Sequence, residues 1–304
     1  MKKCTVIYNP HSGRRLNLDL ERFNSILKSY GYTTEFKLSK YKGYVSEEVQ
    51  RIDYTDLVIS IGGDGTFNEI MSGNLKRDKK LLVSHLPVGT TNDIGNMFGY
   101  EKDIYKNLEL LLDGEVKNID ICTINNKPFV YVAGFGKFMN ISYDVKRDLK
   151  KKFGYLAYLL GGVKEFFQKT KLYELSYTVD DETYHGLYSF MIVSNANRIA
   201  GINKFYKNVK LDDNKFEILV SNFTRKKDLV KSLYYLTFSD ITKVPGIYFH
   251  KTNHLVINSK DKLKWCIDGE KLEDNSYLYD IKMVNNVKIM LPKKNIKILF
   301  KNKK

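Results

Sequence analysis

Gly62-Gly63-Asp64-Gly65-Thr66 follows the apolar run 57–61 and leads into Phe67-Asn68-Glu69-Ile70, which reads as a helix start. A strand that empties through glycines into a helix N-terminus offers bare backbone N–H groups, a general means of holding phosphate. Asp64 inside that turn would repel phosphate unless a divalent cation lay between them, so the segment predicts a nucleotide with Mg²⁺. The plain alternative is a Gly-rich strand-to-helix turn capped by an aspartate. Two more glycine turns occupy strand-to-helix junctions, Asn9-Pro10-His11-Ser12-Gly13-Arg14 and Gly89-Thr90-Thr91-Asn92-Asp93. A late acidic turn, Asp268-Gly269-Glu270, ends a strand-like run. Each turn alone is weak, but three phosphate-type loops in one sheet are hard to explain by packing.

Other chemistries are missing. The chain has no Gly-x-x-x-x-Gly-Lys-Ser/Thr loop, no Gly-x-Gly-x-x-Gly fingerprint and no Gly-x-Ser-x-Gly elbow. His250 and His254 have the i, i+4 spacing of a zinc helix, but their surroundings read as strand and no Glu lies between them.

The elements that would position these loops alternate in the first third. Strands are predicted over 5–8, 32–38, 57–61 and 81–86. Leu20, Phe23, Ile26, Leu27 and Tyr30 mark a helical face ended by Gly31, a second helix covers 45–52, and Ile104, Leu108, Leu111 and Leu112 mark another. Alternating β and α units predict an α/β domain whose parallel sheet carries helices on both faces. Ligands of such sheets bind at the carboxyl ends of strands, where Asn9, Asp64 and Thr90 fall. From residue 119 short, turn-bounded strands dominate, with a hairpin signal at Asn125-Asn126-Lys127. The expectation is a nucleotide-binding domain over 1–118, with the tail 292–304 packing back on it. A β-rich, sandwich-like substrate domain follows over 119–291, with the ligand in a cleft between the two.

Composition narrows the class. A chain of 304 residues with 43% hydrophobic and 28% charged residues is globular, with room for two domains. Cys4, Cys122 and Cys266 lie far apart, which suggests reduced, buried thiols. No signal peptide precedes the first strand, so the expected location is cytoplasmic. Segment 153–167 is too short and too polar to span a bilayer. Fifty Lys and Arg against thirty-five Asp and Glu leave a net charge of +15, which implies anionic partners or a generally lysine-rich proteome. Lys146-Arg147 and Lys150-Lys151-Lys152 precede the amphipathic 153–167 stretch, a combination found in interfacial helices. Without a helix-turn-helix or base-stacking motif, nucleic acid is not the expected partner.

In order, Asn9-Pro-x-Ser-Gly13, Gly62-Gly-Asp-Gly-Thr-x-Asn-Glu69, Gly89-Thr-Thr-Asn-Asp93 and Asp268-Gly-Glu270 resemble the diacylglycerol kinase catalytic-domain family, in its soluble bacterial lipid kinase form. Ala133-Gly134-Phe135-Gly136, Lys152-Phe-Gly-Tyr-Leu-Ala-Tyr158, Asn195-Ala196 and Leu211-Asp212-Asp213 extend the resemblance over essentially the whole chain. The Gly-Gly-Asp-Gly-Thr element is shared with NAD kinases, whereas the opening Asn-Pro-x-Ser-Gly and the late Asp-Gly-Glu are not.

The resemblance implies ATP lined by Asn9, Ser12, Gly13, Gly62, Gly63, Asp64, Gly65, Thr66, Gly89 and Thr90, with Glu69 counted in the second loop. Asp64 and Asp93 would organise the catalytic Mg²⁺. Asp268 would take the proton of a lipid hydroxyl, supported by Glu270, with Asp64 the alternative base. Leu211 and Asp213 would be among the ligands of a structural Mg²⁺. The chain departs from the family pattern at Asn214, where a glycine is common, at Ala200-Gly201, and in lacking a proline near Val209. The expected activity is phosphorylation of a lipid hydroxyl, diacylglycerol foremost, at the inner face of a membrane with an anionic surface. The rivals are a kinase of NAD or another soluble alcohol, and a degenerate nucleotide or anion binder. An exposed edge of the β-rich domain could pair in a homodimer.

Overall fold

The apolar runs of the first third form parallel strands because each is short, β-branched and followed by an amphipathic helix. In the computed structural model, residues 1–10, 12, 18–89, 92–137, 169–199, 202–203, 205–206, 208–238 and 240–301 are described. The expectations for Gly13, Thr90, Ala200-Gly201 and the basic segment 146–167 fall outside them. The chain divides into two units, Met1–Ile119 with Asn285–Lys304, and Asp120–Val284.

In the first unit, β1 (Lys2–Tyr8), β2 (Tyr32–Leu38), β3 (Leu57–Gly62) and β4 (Val83–Pro87) pair in parallel in the order β2-β1-β3-β4. Cys4 registers with Leu57, and Val58 with Val83. Every residue of β3 is buried, as expected of a strand inside a parallel α/β sheet. The helices are α1 (Leu20–Ser29), α2 (Tyr44–Arg51), α3 (Asp64–Leu75), α4 (Asp93–Phe98) and α5 (Ile104–Leu112). Asp19 caps α1 by accepting the Arg22 N–H, and Phe23 and Leu27 bury the predicted face. Tyr30, assigned by sequence to that face, is exposed. The helix has ended at Ser29, and Gly31 turns the chain at φ 82°.

The second unit is antiparallel. Its strands are β5 (Glu115–Ile124), β6 (Lys127–Phe129), β7 (Val132–Gly136), β8 (Tyr173–Val179), β9 (Glu182–Tyr188), β10 (Phe190–Ser194), β11 (Arg198–Ile199), β12 (Ile202–Asn203), β13 (Phe216–Ser221), β14 (Ile247–Thr252), β15 (His254–Ser259), β16 (Cys266–Ile267), β17 (Glu270–Lys271) and β18 (Leu278–Leu291). Among the described residues, one α-helix, α6 (Lys226–Phe238), lies in this unit, and a short α7 (Ile296–Leu299) follows in the first. The order β14-β13-β10-β7-β16-β17 makes one layer, and β15 with β8, β9 and the start of β18 makes another. One core takes Phe135, Val193 and Ile218 from the first layer and Tyr177, Ile257 and Tyr279 from the second, around Trp265. This is the β-rich, sandwich-like domain expected from the short, turn-bounded strands.

The units depart from the sequence boundaries over 285–291. Strand β18 runs on through Asn286 at φ 64° and pairs with β4 in parallel at Ile289↔Val83, so its last residues belong to the first unit. Among the described residues, no helix is long and apolar enough to cross a membrane.

Candidate active site

The segments that follow the adjacent strands β1, β3 and β4 come together at the strands' carboxyl ends. The Asn9 N–H donates to the Ile61 carbonyl at 3.0 Å, and the buried Ser12 donates its N–H to the Asn9 carbonyl at 3.2 Å. The Val88 N–H donates to the Gly62 carbonyl at 2.7 Å. A Cβ on Gly89 would lie 2.7 Å from the Gly63 Cα, and one on Gly62 would lie 2.2 Å from Thr66 Oγ1. Gly63 and Gly89 therefore approach backbone to backbone, which a side chain on Gly89 would prevent. Asn9, Ser12, Gly62, Gly63, Asp64, Gly65, Thr66 and Gly89 are thus assembled in one place. Gly63 is the N-cap of α3, so that helix presents its first N–H groups there.

The acids of this region hold helix starts. Asp64 accepts the Asp93 N–H on Oδ2 at 3.1 Å and the Ile94 N–H on Oδ1 at 3.2 Å. Asn92, the N-cap of α4, sits at φ 50° with no side-chain capping bond, so Asp64 supplies the cap from the neighbouring loop. Asp93 itself is buried in the first turn of α4. Glu69 accepts the Gly43 N–H at 2.9 Å and the Val45 N–H at 3.2 Å. It caps α2, whose own N-cap Gly43 has no side chain to do so. Glu69, expected with the nucleotide loop, is thus turned to α2.

In the second unit, Asp268 and Gly269 have φ 47° and 84° and join β16 to β17 as a two-residue hairpin. The Asp268 carboxylate accepts three backbone N–H groups: Val130 on Oδ2 at 2.7 Å, and Tyr131 and Val132 on Oδ1 at 3.1 Å each. Its own N–H donates to the Val132 carbonyl at 2.8 Å. Asp268 is buried, whereas Glu270, two residues on, is exposed.

Around the 211–214 loop, Leu211 gives its carbonyl to the Asp120 N–H at 2.7 Å, and Asn214 donates its N–H to Asp120 Oδ2 at 2.7 Å. Asn214 adopts φ 59°, so the turn forms without the glycine. Asp213 accepts the Lys215 N–H on Oδ1 at 3.1 Å and pairs with Lys251 Nζ through Oδ2 at 2.8 Å. Lys251 also reaches Glu217 Oε1 at 3.0 Å. Burial pushes the Glu217 carboxyl up to about 7, with Lys251 opposing. Burial alone would lower the Lys251 ammonium, but Asp213 and Glu217 prevail and raise it. Lys251 and Glu217 have no motif in the sequence, because only the register of β13 on β14 brings them face to face. His250 and His254 part company: His250 Nε2 lies 3.2 Å from Tyr177 Oη, and His254 Nε2 lies 2.8 Å from Asp280 Oδ1.

Residues 3–124 match the family model of the diacylglycerol kinase catalytic domain. The family resemblance holds. A diacylglycerol kinase of Bacillus subtilis is 28% identical over 275 residues, spanning 89% of this chain and 90% of its own. One of Staphylococcus epidermidis is 29% identical over 273 residues, spanning 88% of this chain and 86% of its own. A crystal structure of a diacylglycerol kinase from Bacillus anthracis superposes with a TM-score of 0.74 at 20% identity, over 95% of this chain and 97% of that one. A second structure from that organism reaches 0.81 at 22% identity, with the same coverage. These structures are similar in fold, and the family match and the relatives support a kinase.

Proposed function

We propose that this chain is an ATP- and Mg²⁺-dependent lipid kinase that transfers a phosphoryl group to the hydroxyl of diacylglycerol, forming phosphatidic acid. The observation that carries the reading is the close approach of Gly63 and Gly89 at neighbouring parallel strand ends, with the α3 N-terminus among them. Phosphoryl transfer asks for positioning and charge neutralisation more than covalent chemistry, and backbone N–H groups supply both. The nucleotide phosphates belong on the 62–66 turn, with Asn9, Ser12 and Gly89 beside them.

Asp64 and Asp93 are the residues that would hold Mg²⁺. Asp64 stands in the glycine turn itself, and a carboxylate is a hard-oxygen ligand suited to such a cation. The bound ion would neutralise charge on the transferred phosphoryl group.

For the proton of the acceptor hydroxyl, the geometry favours Glu270 over Asp268. Three N–H donors stabilise the negative charge of Asp268 and leave it a poor proton acceptor. Its role in this reading is to anchor the turn that carries Glu270. A membrane surface as the working place is supported by the +15 charge. Helix α6 adds exposed Val230 and Tyr234, 56% and 60% accessible, along with the exposed Lys227 and Lys231.

The test is ATP consumption with Mg²⁺ in mixed micelles containing dioleoylglycerol, beside a parallel reaction with NAD. Phosphatidic acid formed by the wild type and lost in Asp64→Ala is the expected result. Phosphorylated NAD in its place would move the acceptor to a soluble alcohol, and no product with either would overturn the kinase reading for these acceptors.

A further inference from the structure

The 211–214 loop resembles a structural Mg²⁺ site, yet the residues that would hold the ion already have protein partners. The Leu211 carbonyl receives the Asp120 N–H, and the Asp213 oxygens receive the Lys215 N–H and the Lys251 ammonium. Among the described residues, no group of three or more His, Cys, Asp or Glu side chains could hold a metal. The Lys251 ammonium already sits on Asp213 and would repel a divalent ion at the same carboxylate, so the residues do not suit a metal as they stand.

Lys251 reaches the Asp213 carboxylate of this loop from β14. Its Nζ lies 2.8 Å from Asp213 Oδ2, 3.0 Å from Glu217 Oε1 and 3.4 Å from the Asn208 carbonyl oxygen. An ammonium has three N–H donors, and here three oxygens surround it. Its side chain is 28% exposed, against 11% for Asp213 and 3% for Glu217, so the carboxylates are the more deeply withdrawn from water. Two withdrawn carboxylates need a cation between them. Glu217 Oε2 has no hydrogen-bond partner, which leaves the Glu217 charge resting largely on Lys251. The sheet delivers the lysine, because Glu217 and Lys251 are register partners on β13 and β14.

We propose that Lys251 is the resident cation of this loop, doing in this chain what a divalent ion would otherwise do. The loop is not isolated. The Asn214 N–H holds Asp120 Oδ2, and Asn195 Nδ2 donates to the Asp120 carbonyl at 2.8 Å. The Asn195 N–H then donates to the Tyr131 carbonyl at 3.1 Å, and the Tyr131 N–H reaches Asp268. A continuous hydrogen-bonded path thus runs from the lysine-held loop to the Asp268 turn. Lys251 acts through this path as a positioning residue, and the inference does not depend on which acceptor the protein phosphorylates.

Thermal unfolding of the full chain, without nucleotide, in EDTA and in millimolar Mg²⁺ or Ca²⁺ tests the idea. The wild type should unfold at the same temperature in all three. Lys251→Met should lose about 5 °C or more in EDTA and recover much of it in Mg²⁺ or Ca²⁺, because the vacated oxygens then bind the ion. Lys251→Arg should stay independent of divalent ions. A wild type stabilised by Mg²⁺ while Lys251→Met is not would overturn the proposal. So would a Lys251→Met variant that is weakened but indifferent to divalent ions, since the lysine would then be an ordinary ion pair. If Lys251→Met does not fold, Mn²⁺ titration of the wild type followed by electron paramagnetic resonance decides. Stoichiometric tight binding that survives Asp64→Ala and is lost in Asp213→Asn refutes the idea, and its absence supports it.

Discussion

Asp64 and Asp268 each turn their carboxylate to backbone N–H groups, and the setting of those donors separates their chemistry. Asp64 accepts from the start of α4, while Asp268 accepts from the consecutive residues Val130, Tyr131 and Val132. A base with three donors is stabilised as the anion and has little drive to accept a proton. Glu270→Gln should therefore lower kcat by about 10²–10⁴-fold with the melting temperature nearly unchanged, since an exposed side chain loses little by the exchange. Asp268→Asn turns an amide toward backbone donors and should cost about 1–3 kcal/mol in urea unfolding. Turnover lost in Asp268→Asn at full stability would return the base role to Asp268. The Asp-Gly hairpin was legible in the sequence as a turn signal. Its three donors were not, because Val130, Tyr131 and Val132 lie well over a hundred positions away and no local pattern marks them.

At the level of elements, β1, β3 and β4 could be read from their short apolar runs, and β2 from the alternation of Tyr32, Thr34, Phe36 and Leu38. Strand β18 could not. Asn286 in its middle adopts φ 64°, a value usual in turns, yet the strand continues through it instead of ending. The sequence also gives no sign that Glu69 serves α2, since helix caps supplied by another element leave no spacing to detect. Strand β4 carries a further consequence. His85 is buried, with Nδ1 2.9 Å from Ser60 Oγ, its ring 5.1 Å from that of Phe67, and Nε2 without a partner. Burial pushes its imidazole from 6.5 down to about 3, opposed by Ser60. The folded state thus keeps His85 neutral over a range where the unfolded chain takes up a proton. The unfolded state binds more protons between those values, so stability falls as pH drops from 6.5 toward 3. By roughly pH 5 the loss from this one group is about 2 kcal/mol. Urea unfolding of His85→Leu should show a shallower decline over that range than the wild type. Parallel declines would mean that His85 is already protonated in the fold or does not titrate in the unfolded chain.

Over the whole molecule the charge is lopsided, +15 on 304 residues, and a kinase of membrane lipids would have a use for it. Positive charge draws a protein to an anionic bilayer over about a Debye length, roughly 8–10 Å at physiological salt, and the attraction weakens as salt rises. Short-range apolar contact, such as Val230 and Tyr234 of α6 could make, does not weaken in the same way. The two contributions can therefore be told apart on one preparation. Co-sedimentation with phosphatidylglycerol vesicles should be strong at low salt and fall several-fold at high salt, while phosphatidylcholine vesicles should retain little protein. Tyr234→Ser should lower the salt-resistant remainder and leave the salt slope alone, because it removes apolar surface and no charge. Equal retention by both vesicle types would show that the net charge does not direct the protein to membranes, and the lysine excess would then serve solubility alone.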